Sequence, residues 1–211
     1  MTEPSFKAAL FDLDGTLIDS MPYWHDLAER FLDKRGITPD SETADALERL
    51  SLSQAAVYMK NKYCLYEDVE QILGELGDMI DEIYSGLCSL KPGAAEYLEL
   101  LKRRRIPMAL VTITAKKSAK KALKRLGIKK YFSAVVTDTD VGKSKNHPDI
   151  YLEAARKLRA KPQETAVFED SVRGGLTAKK AGFIVYAVRD GSNRDEFGAY
   201  LEAVDGEAQW I

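Results

Sequence analysis

The sequence predicts an α/β protein, a parallel sheet covered by helices on both faces and interrupted near its start by a helical insertion. Three observations carry this expectation. Short, continuously apolar runs ("AALFD", "PMALVTI", "AVVTD", "TAVFED", "FIVYAV") mostly follow one another after Lys91, with amphipathic segments between them, as in sheets buried on both faces. The roughly seventy residues after the first run carry helical periodicity and no convincing strand. A chain of 211 residues, 45% hydrophobic and 30% charged, suits one core with a small second domain.

The first strand is expected from Ala8 to Asp12. "MPYWHDLAERFLDKRG" sets Trp24, Leu27, Ala28, Phe31 and Leu32 on one face of a helix stopped by Gly36. Ser53 is expected to cap "QAAVYMKNKY", and "EDVEQILGELGDMIDEIYSGL" repeats Val69, Ile72, Leu73, Leu76, Met79, Ile80 and Ile83 at three- and four-residue steps. "KPGAAEYLELLKRRR" predicts a helix, "PMALVTI" a buried strand, and Lys116 to Leu126 a helix closed by Gly127. "AVVTD" precedes a helix starting near Pro148, "TAVFED" one from Ser171 to Ala181, and "FIVYAV" is expected to close the series. Residues 1–16 and 91–211 then form the α/β core and 17–90 the helical insertion, with hinges near Leu17 and Leu90.

No apolar run approaches the roughly 20 residues that span a bilayer, and Met1 to Lys7 lacks signal-peptide character. A cytoplasmic, unprocessed protein with no membrane partner is expected. Cys64 and Cys88 are too few for a disulfide framework and are read as reduced thiols. The net charge of −2 hides eight basic residues and no acid between Ala115 and Lys130. Lys116, Lys120 and Lys124 form one helical row, with Lys117, Lys121 and Arg125 beside it. Such a row reads either as a nucleic-acid footprint or as a solvated face. No aromatics interleave and no nucleic-acid motif accompanies it, so the solvated face is preferred, no nucleic-acid partner is expected, and the protein is read as a monomer.

Ligands in parallel sheets bind beyond the carboxyl ends of the strands. Asp12 and Asp14, two apart, lean toward one point there, and Gly15 permits an abrupt turn. Unless this is a plain turn, the two carboxylates call for a cation or a shared proton. Three further strand ends offer partners: Thr112 before a helix whose N-terminal amides can take an anion, Lys143 and Lys145 in "VGKSKNHPDIY", and Glu169 and Asp170 in "VFEDSVRGG". "TDTDVGKS" is not a phosphate loop, because Thr137 stands where the first glycine belongs. His25, His147, Tyr58, Met59, Tyr63 and Tyr66 are read as structural.

"DLDGTLIDS", "VTIT", "KNHPDIY" and "FEDSVRGGLTAKKAGF" together resemble the four motifs of the haloacid dehalogenase superfamily, in the subfamily IA branch that includes β-phosphoglucomutase and phosphoglycolate phosphatase. The resemblance covers nearly the whole chain and implies a Rossmann-like, three-layer core with a small inserted α-helical cap. It also implies roles. Asp12 is the nucleophile that forms an aspartyl-phosphate, and Asp14 is the general acid and base. Mg2+ is held by Asp12, the Asp14 carbonyl and Asp170, with Glu169 as a further ligand or just behind the ligands. Lys145, selected over Lys143 by the frame of "KNHP", neutralises the transferring group, while Thr112 and the amides of Leu13 and Ile113 hold its oxygens. Asn146 and Ile113 depart from the family pattern.

The second aspartate argues against dehalogenation, which needs no acid for a leaving alkoxide. The mutases resembled here carry a glycine and an arginine in a cap loop, where this chain has "LERLSLSQAA" with Arg49 and Leu52 near those positions. A phosphatase acting on a small phosphorylated metabolite is therefore preferred to a sugar-phosphate mutase. A non-catalytic binding protein is the alternative of another class, opposed by the intact acid set. Ser20, Trp24, Arg49 and Leu52 are the candidate specificity residues.

Overall fold

The computed structural model describes residues 6–40, 43, 46, 47, 50, 52–208 and 210. The strands are β1 (Ala8–Phe11), β2 (Ile18–Asp19), β3 (Ser89–Leu90), β4 (Met108–Thr112), β5 (Phe132–Thr137), β6 (Thr165–Glu169), β7 (Ile184–Ala187) and β8 (Gly206–Glu207). Six of them form one sheet in the order β5-β4-β1-β6-β7-β8, every pairing parallel. From β1 the chain moves outward through β4 to β5, then crosses to the other side of β1 for β6 and β7. The order thus reverses beside β1, which makes the carboxyl ends of β1, β4 and β6 the natural crevice of the sheet.

Ten helices are described: α1 (Met21–His25), α2 (Leu27–Asp33), α3 (Leu52–Tyr63), α4 (Val69–Glu82), α5 (Ala94–Arg103), α6 (Lys116–Arg125), α7 (Asp138–Val141), α8 (Asp149–Leu158), α9 (Val172–Lys180) and α10 (Phe197–Glu202). The chain divides into two units, Met1–Met21 with Cys88–Ile211 and Pro22–Leu87. Among the described residues no helix is long and apolar enough to cross a membrane.

Both faces of the sheet are buried, which is why its strands read as unbroken apolar runs. One face packs Leu10, Ala109, Val111, Val136, Val167 and Val185 against Ile150, Tyr151 and Ala154 of α8 and Ala178 of α9. The other is aromatic. Phe11, Phe168 and Tyr186 lie directly opposite one another in register. Their rings stack with centroids 4.6 and 5.3 Å apart. Tyr97 of α5 meets Phe168 edge-on at 5.5 Å, and Trp210 joins at 5.3 Å. Burial pushes the Tyr97 hydroxyl up to about 12.

The Pro22–Leu87 unit is helical throughout its described elements. Its buried residues include Leu27, Phe31, Leu32, Ala56, Met59, Ile72, Leu76, Met79 and Tyr84. A capping box between Asp68 and Gln71 starts α4. Arg35 ties the unit together, reaching Glu67 at 2.6 Å and Glu75 at 2.5 Å while its guanidinium lies 3.7 Å from the Phe31 ring centroid.

Three local expectations are corrected. "FIVYAV" does not close the sheet, because β8 pairs with β7. With only Gly206 and Glu207 it has no apolar run to announce it. The helix expected from Met21 to Gly36 is interrupted at Asp26, although backbone bonds from Asp26 N–H to the Pro22 carbonyl and from Arg30 N–H to the Asp26 carbonyl carry the turn across the break. Ser53 is not a cap, since α3 already includes Leu52. Gly36 does end α2 in the left-handed conformation, φ +69°, with Ile37 N–H returning to the Leu32 carbonyl. In α6, Ser118, Ala119, Ala122 and Leu123 face inward, Lys116 pairs with Asp140 at 2.7 Å, and Lys117, Lys120 and Lys124 are exposed.

Phe168 contacts five aromatic rings. Phe168→Ala is expected to cost about 3–5 kcal/mol, read as a lowered urea midpoint with little change in slope.

Candidate active site

The loop after β1 is built around close approach. Asp12 N–H bonds the Phe168 carbonyl at 3.0 Å, which continues the β1–β6 ladder one residue past the strand. The chain then turns sharply, with Leu17 and Ile18 amides both returning to the Leu13 carbonyl and Gly15 at φ +71°. A Cβ on Gly15 would lie 2.2 Å from Asp170 Oδ2, so glycine is required by space as well as by backbone conformation. The next residue, Thr16, is fully buried, and its hydroxyl donates to Asp170 Oδ1 at 2.8 Å while accepting from Asp170 N–H at 3.1 Å. The turn after β1 and the end of β6 are therefore locked together.

Asp12, Glu169 and Asp170 are all buried, and one carboxylate oxygen of each lies within 4.8 Å of the other two. Lys145, also buried, reaches Asp12 Oδ1 at 2.5 Å and Glu169 Oε2 at 2.9 Å. Tyr151 of α8 donates to Glu169 Oε2 at 3.1 Å. Burial and the charge of Asp12 push the Glu169 carboxyl up to about 7, against Lys145 and the Tyr151 hydroxyl. Burial, Asp12 and Glu169 push Asp170 well above the usual carboxylate range, against Thr16 and Lys145. Burial works against the charge on Lys145, but Asp12 and Glu169 outweigh it and hold the ammonium above its ordinary value. Ionised together, three carboxylates against one lysine would leave negative charge that a divalent cation with oxygen ligands balances, so the donor set fits such an ion.

Asp14 lies in the turn, half-buried. Ser20 Oγ donates to its Oδ1 at 2.7 Å and Thr114 Oγ1 donates to its Oδ2. Thr112 is buried at the end of β4 and accepts from Thr114 N–H at 3.0 Å. Ile113 between them is 60% exposed and Leu13 is buried. Lys143 is exposed and pairs with Asp149 at 2.8 Å.

The structure thus brings Asp12, Asp14, Thr112, Lys145, Glu169 and Asp170 to the carboxyl ends of β1, β4 and β6. The specificity candidates fare differently. Ser20 is spent on Asp14. In the helical unit, Trp24 Nε1 donates to the Tyr84 hydroxyl at 3.1 Å, and Leu52 opens α3. Arg49 lies outside the described residues. Thr16, Thr114, Tyr151 and Asn193 were not anticipated. The "DGT" tripeptide was the available signal for Thr16, since the hydroxyl beside an obligatory glycine has one place to go. Asn193 carries no such signal. Its side-chain amide donates to the Asp170 and Val188 carbonyls, both at 2.8 Å.

A family model for haloacid dehalogenase-like hydrolases matches residues 6–182. The chain belongs to this family. Relatives of this hydrolase include the phosphorylated carbohydrates phosphatase of Thermotoga maritima, 29% identical over 198 residues that span 92% of each chain. The β-phosphoglucomutase of Bacillus subtilis is 31% identical over 205 residues, 92% of this chain and 88% of the relative. Among solved structures, the β-phosphoglucomutase of Clostridium difficile is similar with a TM-score of 0.68 at 26% identity, covering 97% of this chain and 91% of that one.

Asn193 is itself held by Asp190 N–H at 3.1 Å, and Asp190 Oδ2 meets Lys91 at 2.6 Å. Burial opposes the Asp190 charge, but Lys91 and Ser192 outweigh it and lower its carboxyl below the usual value. A lowered folded value stabilises the protein above the unfolded carboxylate value, near pH 4, and that stability is lost as pH falls through the lower folded value. Asp190→Asn should therefore reduce the melting temperature at pH 7 and reduce its fall between about pH 5 and pH 2, as followed by calorimetric scans across that range.

Proposed function

We propose that this hydrolase is a Mg2+-dependent phosphatase acting on a small phosphorylated metabolite through an aspartyl-phosphate on Asp12. The observation that carries the reading is the convergence of three buried carboxylates and one lysine beside a separate, hydroxyl-bound carboxyl two residues from the nucleophile. In the first half-reaction an Asp12 oxygen bonds phosphorus, the ester P–O bond breaks, and the Asp14 carboxyl gives its proton to the departing oxygen. In the second, the Asp14 carboxylate takes a proton from water, the water oxygen bonds phosphorus, and the bond from Asp12 breaks to release phosphate.

Asp12, Asp170 and the Asp14 carbonyl would hold Mg2+, with Glu169 as ligand or support. When bound, the ion neutralises charge on the phosphoryl oxygens and on the attacking carboxylate. Lys145 orients Asp12 through their ion pair and offsets charge on the transferring group. Thr112, the amides of Leu13 and Ile113, and the first turn of α6 would bind the phosphoryl oxygens. Residues 17–90 are proposed to act as a cap that chooses the substrate. The carbohydrate phosphatase relative favours a sugar or polyol phosphate as substrate class, and the mutase relative keeps sugar-phosphate isomerisation as a second reading.

Wild type is expected to hydrolyse p-nitrophenyl phosphate only with Mg2+ present, and Asp12→Asn to fall by roughly a thousandfold or more in kcat. An inactive wild type across a broad panel of phosphate esters, with no Mg2+ binding by calorimetry, would sink the reading. Conversion of β-glucose 1-phosphate to the 6-phosphate without phosphate release would favour the mutase. Gly15→Ala should displace Asp170 and weaken Mg2+ binding at least roughly tenfold, measured by titration calorimetry.

A further inference from the structure

Both oxygens of the Asp14 carboxylate meet hydroxyls, one from nearby in the sequence and one from far along it. Ser20 follows β2, six residues on. Thr114 comes from the loop after β4, one hundred residues away, and is only 7% exposed. Its backbone is fixed as well, because Thr114 N–H donates to Thr112 Oγ1 at 3.0 Å. A carboxyl that must first give a proton to one oxygen and later take one from another cannot rely on a partner that only donates or only accepts. A hydroxyl does both, by rotating its O–H.

We propose that Thr114 is a positioning residue for proton transfer by Asp14. Its hydroxyl donates to Oδ2 while Asp14 is ionised and accepts the Oδ2 proton while Asp14 waits as the acid. When that proton turns from Thr114 to the departing ester oxygen and is transferred, the Thr114 O–H turns back to donate to Oδ2, so the carboxyl keeps one orientation through both half-reactions. Ser20 steadies the other oxygen. Valine has nearly the same shape as threonine and cannot make either bond. The proposal rests on the phosphatase reading, and it adds a residue to that reading from the third position of the "TIT" run, where the exposed Ile113 separates two hydroxyls with different tasks.

The test compares phenyl phosphate with p-nitrophenyl phosphate, two esters of similar size whose departing phenoxides differ in basicity. The phenoxide of the first needs a proton more. The quantity read is the ratio of kcat/KM for phenyl over p-nitrophenyl phosphate, since kcat/KM reports the steps through departure of the alcohol. Thr114→Val is expected to lower that ratio about tenfold and Thr114→Ser to restore it to within about twofold of wild type. Thr114→Ala serves in the same comparison where the valine variant does not fold. An unchanged ratio, an equal loss on both esters, or no rescue by serine overturns the positioning role while leaving the phosphatase reading intact. A wild type inert on both esters with Mg2+ overturns both.

Discussion

Negative charge gathered at the carboxyl ends of β1 and β6 is the constraint around which the α/β unit is organised. Two unit charges no more than 4.8 Å apart repel by at least about 3 kcal/mol at an effective dielectric near 20, and Asp12, Glu169 and Asp170 form three such pairs. One lysine at 2.5 and 2.9 Å meets two of the carboxylates and leaves Asp170 to neutral partners. A hydrogen bond to a charged group is worth about 1.5–3 kcal/mol. The hydroxyls of Thr16 and Tyr151 therefore act on the same scale as the repulsion, which explains why fully buried side chains are committed to them. Burial first, and this repulsion after it, raise the carboxyls of Glu169 and Asp170, and the concentration of acids is the physical reason that a cation is the natural completion of the cluster.

The scaffold bears this strain because its parts are locked from opposite sides. Strand β1 lies between β4 and β6, so its end cannot shift without moving two ladders. The stacked Phe11 and Phe168 rings lie one residue before Asp12 and Glu169 respectively, which places a stacked aromatic pair directly behind the gathered carboxylates. Tyr200 of α10 adds a bond from its hydroxyl to the Glu169 carbonyl at 3.1 Å, and it passes so close to α9 that a Cβ on Gly175 would lie 1.7 Å from that oxygen. The paired glycines 174 and 175 thus let Tyr151 and Tyr200 reach the end of β6.

Much of this was legible in the sequence wherever a local pattern and its cause coincide. Buried parallel strands advertise themselves as apolar runs, so β1, β4, β5, β6 and β7 were found, and Asp12, Asp14, Thr112, Glu169 and Asp170 followed from their positions at strand ends, whereas Lys145 was separated from Lys143 only by the family resemblance. Strand β8 was missed because two residues at a sheet edge carry no pattern. Asn193, Tyr151 and Thr114 were missed for a different reason. Each acts on a residue between 18 and 100 positions away, and nothing in the composition of its own segment reports a contact that only the closed sheet creates.

The two-residue spacing of Asp12 and Asp14 takes its meaning from those long-range contacts. Alternation along an extended strand explains why both carboxyls lean toward one region, but it would give them equal surroundings. What separates them is the turn at Gly15, which leaves Asp12 in the β1–β6 ladder beside Lys145 and carries Asp14 toward hydroxyls from Ser20 and Thr114. Asp12 meets a fixed positive charge at 2.5 Å, whereas the hydroxyls that reach Asp14 can each donate or accept by rotating. The division of labour in the proposed reaction is thus set by what the sheet brings to each aspartate, and the glycine between the motif's acid and its threonine is the element that allows the two environments to differ.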